Sequence, residues 1–322
     1  MAEKYDVTVA VVTYRPDQQK LIATLRSILL QRNIRVQIVL ADDGTQEPFA
    51  EAVEAVFREE VFEDYKLVFN PENRGTVCNV LSAVAVADGT YTKLISPGDM
   101  LACEDALEKW VKHMEETDSV VSCCDVVCYS KTGNQIEAVA NICYPQNIKC
   151  YREKNTEEIR YHYLVLDDIY LGAATLCHTQ TLLNYLRQIA GRIVFGEDNV
   201  YRLMAYDAVA MGYFEKTAVI YETGTGVSTG GSPVWNQRLQ KDWDACKQMI
   251  FQRPVNPDDM TAENFRIKHT SKMKSKWTLL RVKGLLLWKL RQKFFPRMTK
   301  CDLPWEFMER IMFLKGNECN GS

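Results

Sequence analysis

The stretch on which the fold turns is DVTVAVVTY, Asp6–Tyr14, an apolar run closed by Arg15, Pro16 and Asp17. It reads as a first β-strand. Behind it Leu21, Leu25, Ile28 and Leu29 fall at i, i+4, i+7 and i+8, the spacing of a helix with one buried stripe. VQIVLADDGT, Val36–Thr45, reads as a second strand, and a helix through Phe49, Val53 and Val56 leads to a third near KLVFN. GTVCNVLSAVAVADG places Val77, Val80, Leu81 and Val84 on one helical face and stops at Gly89; TYTKLI is the next strand. Strands that alternate with helices in this way predict βαβ units and a largely parallel sheet.

Further along, the sequence predicts a helix after Glu104, then the strand DSVVSCCDVVCYS and a hairpin through TGNQ. IYLGAATLCH, Ile169–His178, reads as one more strand, GEDNVYRLMAYDAV as a helix opening with two acids, and AVIYETGTGVSTGGSPVW as a strand and a Gly, Ser and Thr loop. From about Trp235 the pattern turns helical and basic. There are no internal repeats and no low-complexity linker. At 322 residues the chain is long enough for one large domain with an appendage. The expected division is a catalytic domain over 1–235, with a ligand-binding half at 1–100 and an acceptor half at 101–235, followed by a basic helical region at 236–322.

With 47% hydrophobic and 25% charged residues, the composition is that of an ordinary globular protein. Acids precede the first apolar run and no small-residue cleavage site follows it, so no secretory signal is expected. No run of about 18 apolar residues offers a membrane span. Eleven cysteines in such a chain are expected to be free thiols, and the SCCDVVC cluster, with Cys123, Cys124 and Cys128, reads as buried strand rather than zinc site. His178, on an apolar strand, reads as a core histidine.

In an open parallel sheet, ligands bind where strands end at their carboxyl edge. Three ends here carry polar signatures: TYRP, ADDGT and SPGD. Each alone is explained by a turn, which needs Asp, Gly and Pro for backbone reasons. Glu197 and Asp198 of GEDNVYRL are explained by the dipole at a helix start, or by chemistry. Asp167 and Asp168 of LDDIYLG read as a turn, with acceptor contacts as the alternative.

Taken in order, VVTYRP, ADDGT, NRGTVCN, ISPGD, GED and GVS resemble a family 2 glycosyltransferase over roughly the first 230 residues. The resemblance implies the GT-A fold, a Rossmann-like α/β architecture with a mixed, mostly parallel sheet flanked by helices. It implies inverting transfer from a nucleotide-diphosphate sugar, here a UDP-sugar, in the hexosyltransferase class, usually with a divalent metal such as Mn²⁺ or Mg²⁺. Thr13 and Tyr14 match the motif that lies against the nucleotide. Asp43 matches the acid that accepts from the uracil ring, whose nitrogen offers one donor. Asn73 and Gly75 match the residues after the third strand, although Cys78 and Asn79 stand where an arginine is usual. In SPGD the last acid, Asp99, resembles the metal ligand, and Gly98 replaces an acid that often touches the ribose. Asp198 matches the general base, with Glu197 as its neighbour or substitute. Gly226 and Ser228 match the late loop that folds over the diphosphate, with Thr225 and Thr229 beside them.

The net charge of −3 hides an asymmetry. Arg266–Lys300 holds twelve Lys or Arg and no acid, so the rest carries 27 basic and 42 acidic residues, a balance of −15. This basic stretch, with Trp277, Leu280, Leu287, Trp288 and Phe294 among its cations, has the composition of a helix at an anionic membrane surface. Packing on the main domain or in a homo-oligomer is the alternative. A nucleic-acid partner is not expected, because the acidic remainder would repel a phosphate backbone. The sequence thus predicts a cytoplasmic enzyme, peripheral on the inner face of the cell membrane, acting on a glycan or lipid-linked glycan of a cell-surface polysaccharide. A GT-A-fold binding or assembly protein that has lost catalysis is the second reading, motivated by the acids missing from SPGD.

Overall fold

The computed structural model describes residues 4–312 apart from 47–48, 134, 225–231, 255, 257, 271–281 and 283. The first half runs β1 (Tyr5–Thr13), α1 (Gln18–Leu29), β2 (Val36–Asp42), α2 (Ala50–Glu59), β3 (Tyr65–Phe69), α3 (Thr76–Val84) and β4 (Gly89–Ile95). Next come β5 (Met100–Leu101), α4 (Ala106–Thr117), the hairpin β6 (Val121–Thr132) and β7 (Gln135–Ala138), α5 (Lys149–Arg152) and α6 (Thr156–Val165). A short 3₁₀ turn (Gly172–Ala174) leads into β8 (Thr175–His178), α7 (Thr179–Ile189), α8 (Asn199–Tyr206) and β9 (Met211–Glu222). The remaining helices are α9 (Pro233–Phe251), α10 (Met260–Thr270), α11 (Leu285–Phe294) and α12 (Trp305–Met312).

One mixed sheet, in the order β3-β2-β1-β4-β8-β6-β9-β5 with β7 on β6, forms the centre. β1, β2, β3 and β4 are mutually parallel, with Thr13 opposite Asp42 and Val11 opposite Ile95, so their carboxyl ends share one edge. The predicted βαβ units form because each helix buries one stripe: Leu21, Leu25 and Ile28 of α1 face the sheet, as do Val77, Val80 and Val84 of α3. Both faces of the strands are covered, which is why they read as continuous apolar runs.

One predicted strand is shorter than expected. Of Ile169–His178, Thr175–His178 alone is strand, antiparallel to both β4 and β6. Ahead of it the chain coils into the 3₁₀ turn, because the Ala173 carbonyl accepts from the buried Lys93 ammonium at 2.6 Å. The described cysteines carry free thiols, and Cys123, Cys124 and Cys128 are buried in β6, as expected of strand residues. His178 packs edge-on against Tyr91, with ring centroids 5.7 Å apart.

The carboxyl-terminal helices pack onto this sheet domain. Phe265 of α10, with Leu285 and Trp288 of α11, joins the main core, and Phe307, Met308 and Ile311 of α12 pack with Ala23, Met100 and Tyr129. Several cations of the basic stretch are spent in this docking. Lys268 pairs with Asp167 at 2.5 Å, Arg266 donates to the Phe251 carbonyl, and Arg297 pairs with Asp125. Asp167 takes φ 55° just past α6, and Asp168 accepts from the Gln146 and Asn147 N–H groups at 2.6 and 2.9 Å.

Candidate active site

The edge where β1, β2 and β4 end is built by short polar contacts. Thr13 is buried and donates to Asp42 Oδ2 at 2.8 Å. Asp42 also accepts from the Thr45 N–H at 2.6 Å and its hydroxyl at 2.7 Å, so this first acid of ADDGT shapes the turn. Asp43 reaches across to the next loop and accepts from the N–H groups of Arg74 at 2.9 Å and Gly75 at 2.8 Å. Each carboxylate oxygen has a second lone pair, so those bonds leave acceptor capacity. Tyr14 and Asn73 are exposed at the mouth of the same edge. Asn79, in place of the usual arginine, donates to the Thr13 and Ala41 carbonyls at 3.1 Å each, tying two strand ends together.

Past β4 the chain turns through Gly98, at φ 104°, into Asp99. Asp99 is buried, and its Oδ1 accepts from the Glu222 N–H at 3.0 Å. The antiparallel register of β5 with β9, Met100 opposite Ile220, brings Gly98 across from Glu222. The Glu222 carboxylate fills the space a side chain at Gly98 would take: a Cβ there would lie 2.2 Å from Glu222 Oε2. Lys20 of α1 neutralises it at 2.6 Å. Burial raises the Asp99 carboxyl and lowers the ammonium of Lys93, fully buried nearby. The donors at this point are two buried carboxylates, all oxygen, which suits a hard divalent cation completed by substrate phosphate and water. Among the described residues no three His, Cys, Asp or Glu side chains cluster to hold a metal unaided.

Glu197 and Asp198 stand on the loop before α8. Asp198 occupies the N-cap position of α8, and its side chain makes no capping hydrogen bond. It lies against Gly172, where a Cβ would come within 2.0 Å of its Oδ1. Asp198 is exposed, as a group that meets a substrate must be, although neighbouring protein crowds its carboxyl. That enclosure pushes its carboxyl up to about 6, with Arg202 pulling the other way. Glu197 is pushed further, to about 8, by burial and then by the charge of Asp198. The two acids are thereby separated into a protonated neighbour and an ionised one near neutral pH.

The strand edge and the acidic loop meet. The Lys93 ammonium, on the strand that leads into the turn carrying Asp99, holds the carbonyl of Ala173, next to Gly172 against which Asp198 lies. On the other side Gly75 is pressed against Val194, and the Val77 N–H donates to the Val194 carbonyl at 3.0 Å. Gly226 and Ser228 of the late loop lie outside the described residues. Three contributors escaped the sequence reading. Lys93 carried a signal, a charge inside an apolar strand; Lys20 and Glu222 did not, since their pairing spans the chain.

Residues 8–184, more than half of the chain, match the model of glycosyl transferase family 2, and the chain belongs to that family. No match was found among curated protein sequences. Among solved structures, the fold is similar to S. aureus TarS residues 1–349 in complex with UDP-GlcNAc, at 17% identity and TM-score 0.56 over 88% of this chain and 78% of that one. It is also similar to the mannosyltransferase PcManGT from Pyrobaculum calidifontis in complex with GDP-Man and Mn²⁺, at 14% identity and TM-score 0.55 over 97% and 86%. Both likenesses establish the GT-A fold.

Proposed function

We propose that this glycosyltransferase inverts the anomeric carbon as it moves a hexose from a UDP-sugar to a hydroxyl of a glycan acceptor in cell-surface polysaccharide synthesis. One observation carries the reading: the exposed Asp198 carboxylate has no capping partner and sits beside the turn anchored to β4, the strand that leads to Asp99. The acceptor O–H gives its proton to Asp198 while its oxygen bonds to the anomeric carbon from the face opposite the diphosphate. The bond from that carbon to the β-phosphate oxygen breaks, and UDP leaves with the electron pair. Thr13, Tyr14 and Asp43 hold the nucleoside, with Asn73 and Gly75 beside them. Asp99, joined by Glu222 beside Gly98, would hold a divalent cation, Mn²⁺ or Mg²⁺, which neutralises charge on a departing diphosphate.

A thermal-shift screen of UDP- and GDP-sugars with and without Mn²⁺, followed by an assay for UDP release, tests the reading. A ligand of the native state raises the melting temperature by mass action, so a UDP-sugar with Mn²⁺ should give the largest rise. Binding without UDP release in the presence of any glycan acceptor would favour a catalytically inactive nucleotide-sugar protein, the reading that Gly98 motivates. No shift with any nucleotide sugar would overturn the proposal.

The same reading places the enzyme on the cytoplasmic membrane face, where a lipid-linked acceptor is presented. Among the described residues no helix is long and apolar enough to cross a membrane. α11 buries Leu285 and Trp288 but leaves Leu287 73%, Phe294 61% and the following Phe295 79% exposed, with Lys289 and Lys293 exposed among them. Such a face suits insertion at an interface, and each cation near an anionic leaflet adds on the order of 1 kcal/mol. The full chain should float with anionic liposomes, lose part of that binding in high salt, and keep a fraction through the apolar residues. Leu287→Asp with Phe294→Asp should abolish the salt-resistant fraction; flotation unchanged by this pair, or absent in the native chain, would assign α11 to a contact between copies of the chain instead.

A further inference from the structure

α9 lies beyond the segment that matches the family, yet one of its faces grips the loop that carries the acidic pair. Trp235, Arg238 and Asp242 fall at i, i+3 and i+7, on one side of the helix. Trp235 meets Phe195 edge-on with centroids 4.9 Å apart, and the Arg238 guanidinium lies 5.3 Å from the Phe195 ring and 4.8 Å from that of Trp235. Asp242 is buried, and it accepts from three consecutive backbone N–H groups: Val194 at 3.1 Å, Phe195 at 2.7 Å and Gly196 at 2.9 Å. The next two residues are Glu197 and Asp198.

A loop outside regular structure has no ladder to satisfy its N–H groups, and a single buried carboxylate that takes three of them fixes three peptide planes at once. Asp43 does the same for Arg74 and Gly75 on the nucleotide side. The two clamped loops touch where Gly75 is pressed against Val194 and the Val77 N–H bonds to the Val194 carbonyl. Displacing the Val194–Gly196 backbone would therefore move Asp198 against Gly172, where there is no slack.

We propose that Asp242 is a positioning residue for sugar transfer: it fixes the Val194–Gly196 loop so that Asp198 meets the acceptor at a set distance from the bound nucleotide. The inference rests on the reading of Asp198 as the base. An asparagine at 242 keeps the shape but offers one acceptor oxygen and an amide that cannot accept, so at least one of the three N–H groups loses its partner. A misplacement of about 1 Å at a reacting group is enough for a large rate loss.

Asp242→Asn should lower kcat roughly tenfold or more, leave UDP affinity by calorimetry within about twofold, and shift the acidic limb of the pH–rate profile set by Asp198, Glu197 and Arg202. Asp242→Glu, which keeps both acceptor oxygens, should recover part of the loss. In a double-mutant cycle Asp242→Asn should cost little more once Asp198 is already asparagine, because it acts through that carboxylate. If Asp242→Asn does not fold, Trp235→Ala, at a half-buried position, should lower kcat severalfold with UDP affinity kept. A folded Asp242→Asn with native kcat and pH profile, or full additivity in the cycle, would overturn the inference; native kcat in Trp235→Ala would do so where the first variant fails to fold. Native activity in Asp198→Asn alone would instead remove the base assignment on which the inference stands.

Discussion

Asp198→Asn should reduce sugar transfer by roughly 10²-fold or more while leaving UDP-sugar affinity nearly intact, the usual worth of a positioned general base. Asparagine fills the same space against Gly172 but cannot take the proton of the acceptor hydroxyl. The pH–rate profile gives a second, independent readout. A base works ionised, so with the Asp198 carboxyl pushed up to about 6, kcat/KM should rise with pH through about 6 and level off above it. Glu197, pushed up to about 8, stays protonated across that limb and titrates later. Loss of the limb at 6 in Asp198→Asn, with overall fold and UDP binding retained, identifies the base. Should Glu197→Gln stop transfer and Asp198→Asn not, the two roles are exchanged.

Glu222→Gln and Lys20→Ala should change Mn²⁺-dependent UDP binding in opposite directions. Glu222 fills the space above Gly98, and Lys20 now neutralises it at 2.6 Å. If Glu222 and Asp99 hold the cation, Glu222→Gln removes one charged contact worth about 1.5–3 kcal/mol, a loss of roughly 10- to 100-fold in metal affinity. Asp99→Asn should do likewise. Lys20→Ala removes the ammonium that competes for Glu222, so metal should bind more tightly, which calorimetry with Mn²⁺ and UDP reads without any turnover. The opposite pattern, UDP binding that ignores chelator and disappears in Lys20→Ala, would make Lys20 the cation that meets the diphosphate and remove the metal from the site.

Much of the fold was legible because short-range rules are strong where both sheet faces are covered. The apolar runs at Tyr5–Thr13, Val36–Asp42 and Gly89–Ile95 and the helix stripes of α1 and α3 could be read directly from spacing. Ile169–His178 could not: its apolar residues suit a strand, but Gly172 has to leave room for Asp198 and Ala173 has to meet Lys93, so the chain coils there. The acids were legible as types at strand ends and a helix start, while their partners were not. Asp43 was expected to face a nucleotide base and is found holding the Arg74 and Gly75 N–H groups as well. For the basic stretch the sequence left a membrane surface and packing on the main domain as alternatives, and Arg266, Lys268 and Arg297 are turned into the protein.

By itself the sequence determined the strands and helices up to Ile95, because periodicity and turn chemistry act over a few residues, and it placed polar residues at the ends of three strands. Tertiary structure alone decided what each charge does. The register of β5 against β9 sets Glu222 over Gly98 across 124 positions of chain, and the packing of α9 sets Asp242 under the loop of Asp198. Neither pairing leaves a local trace, since a carboxylate on a strand end or a helix face looks the same in sequence whether it meets solvent, a lysine or three backbone N–H groups. Its energy depends on those partners and on the water removed around it, and both are fixed only when distant elements close on one another.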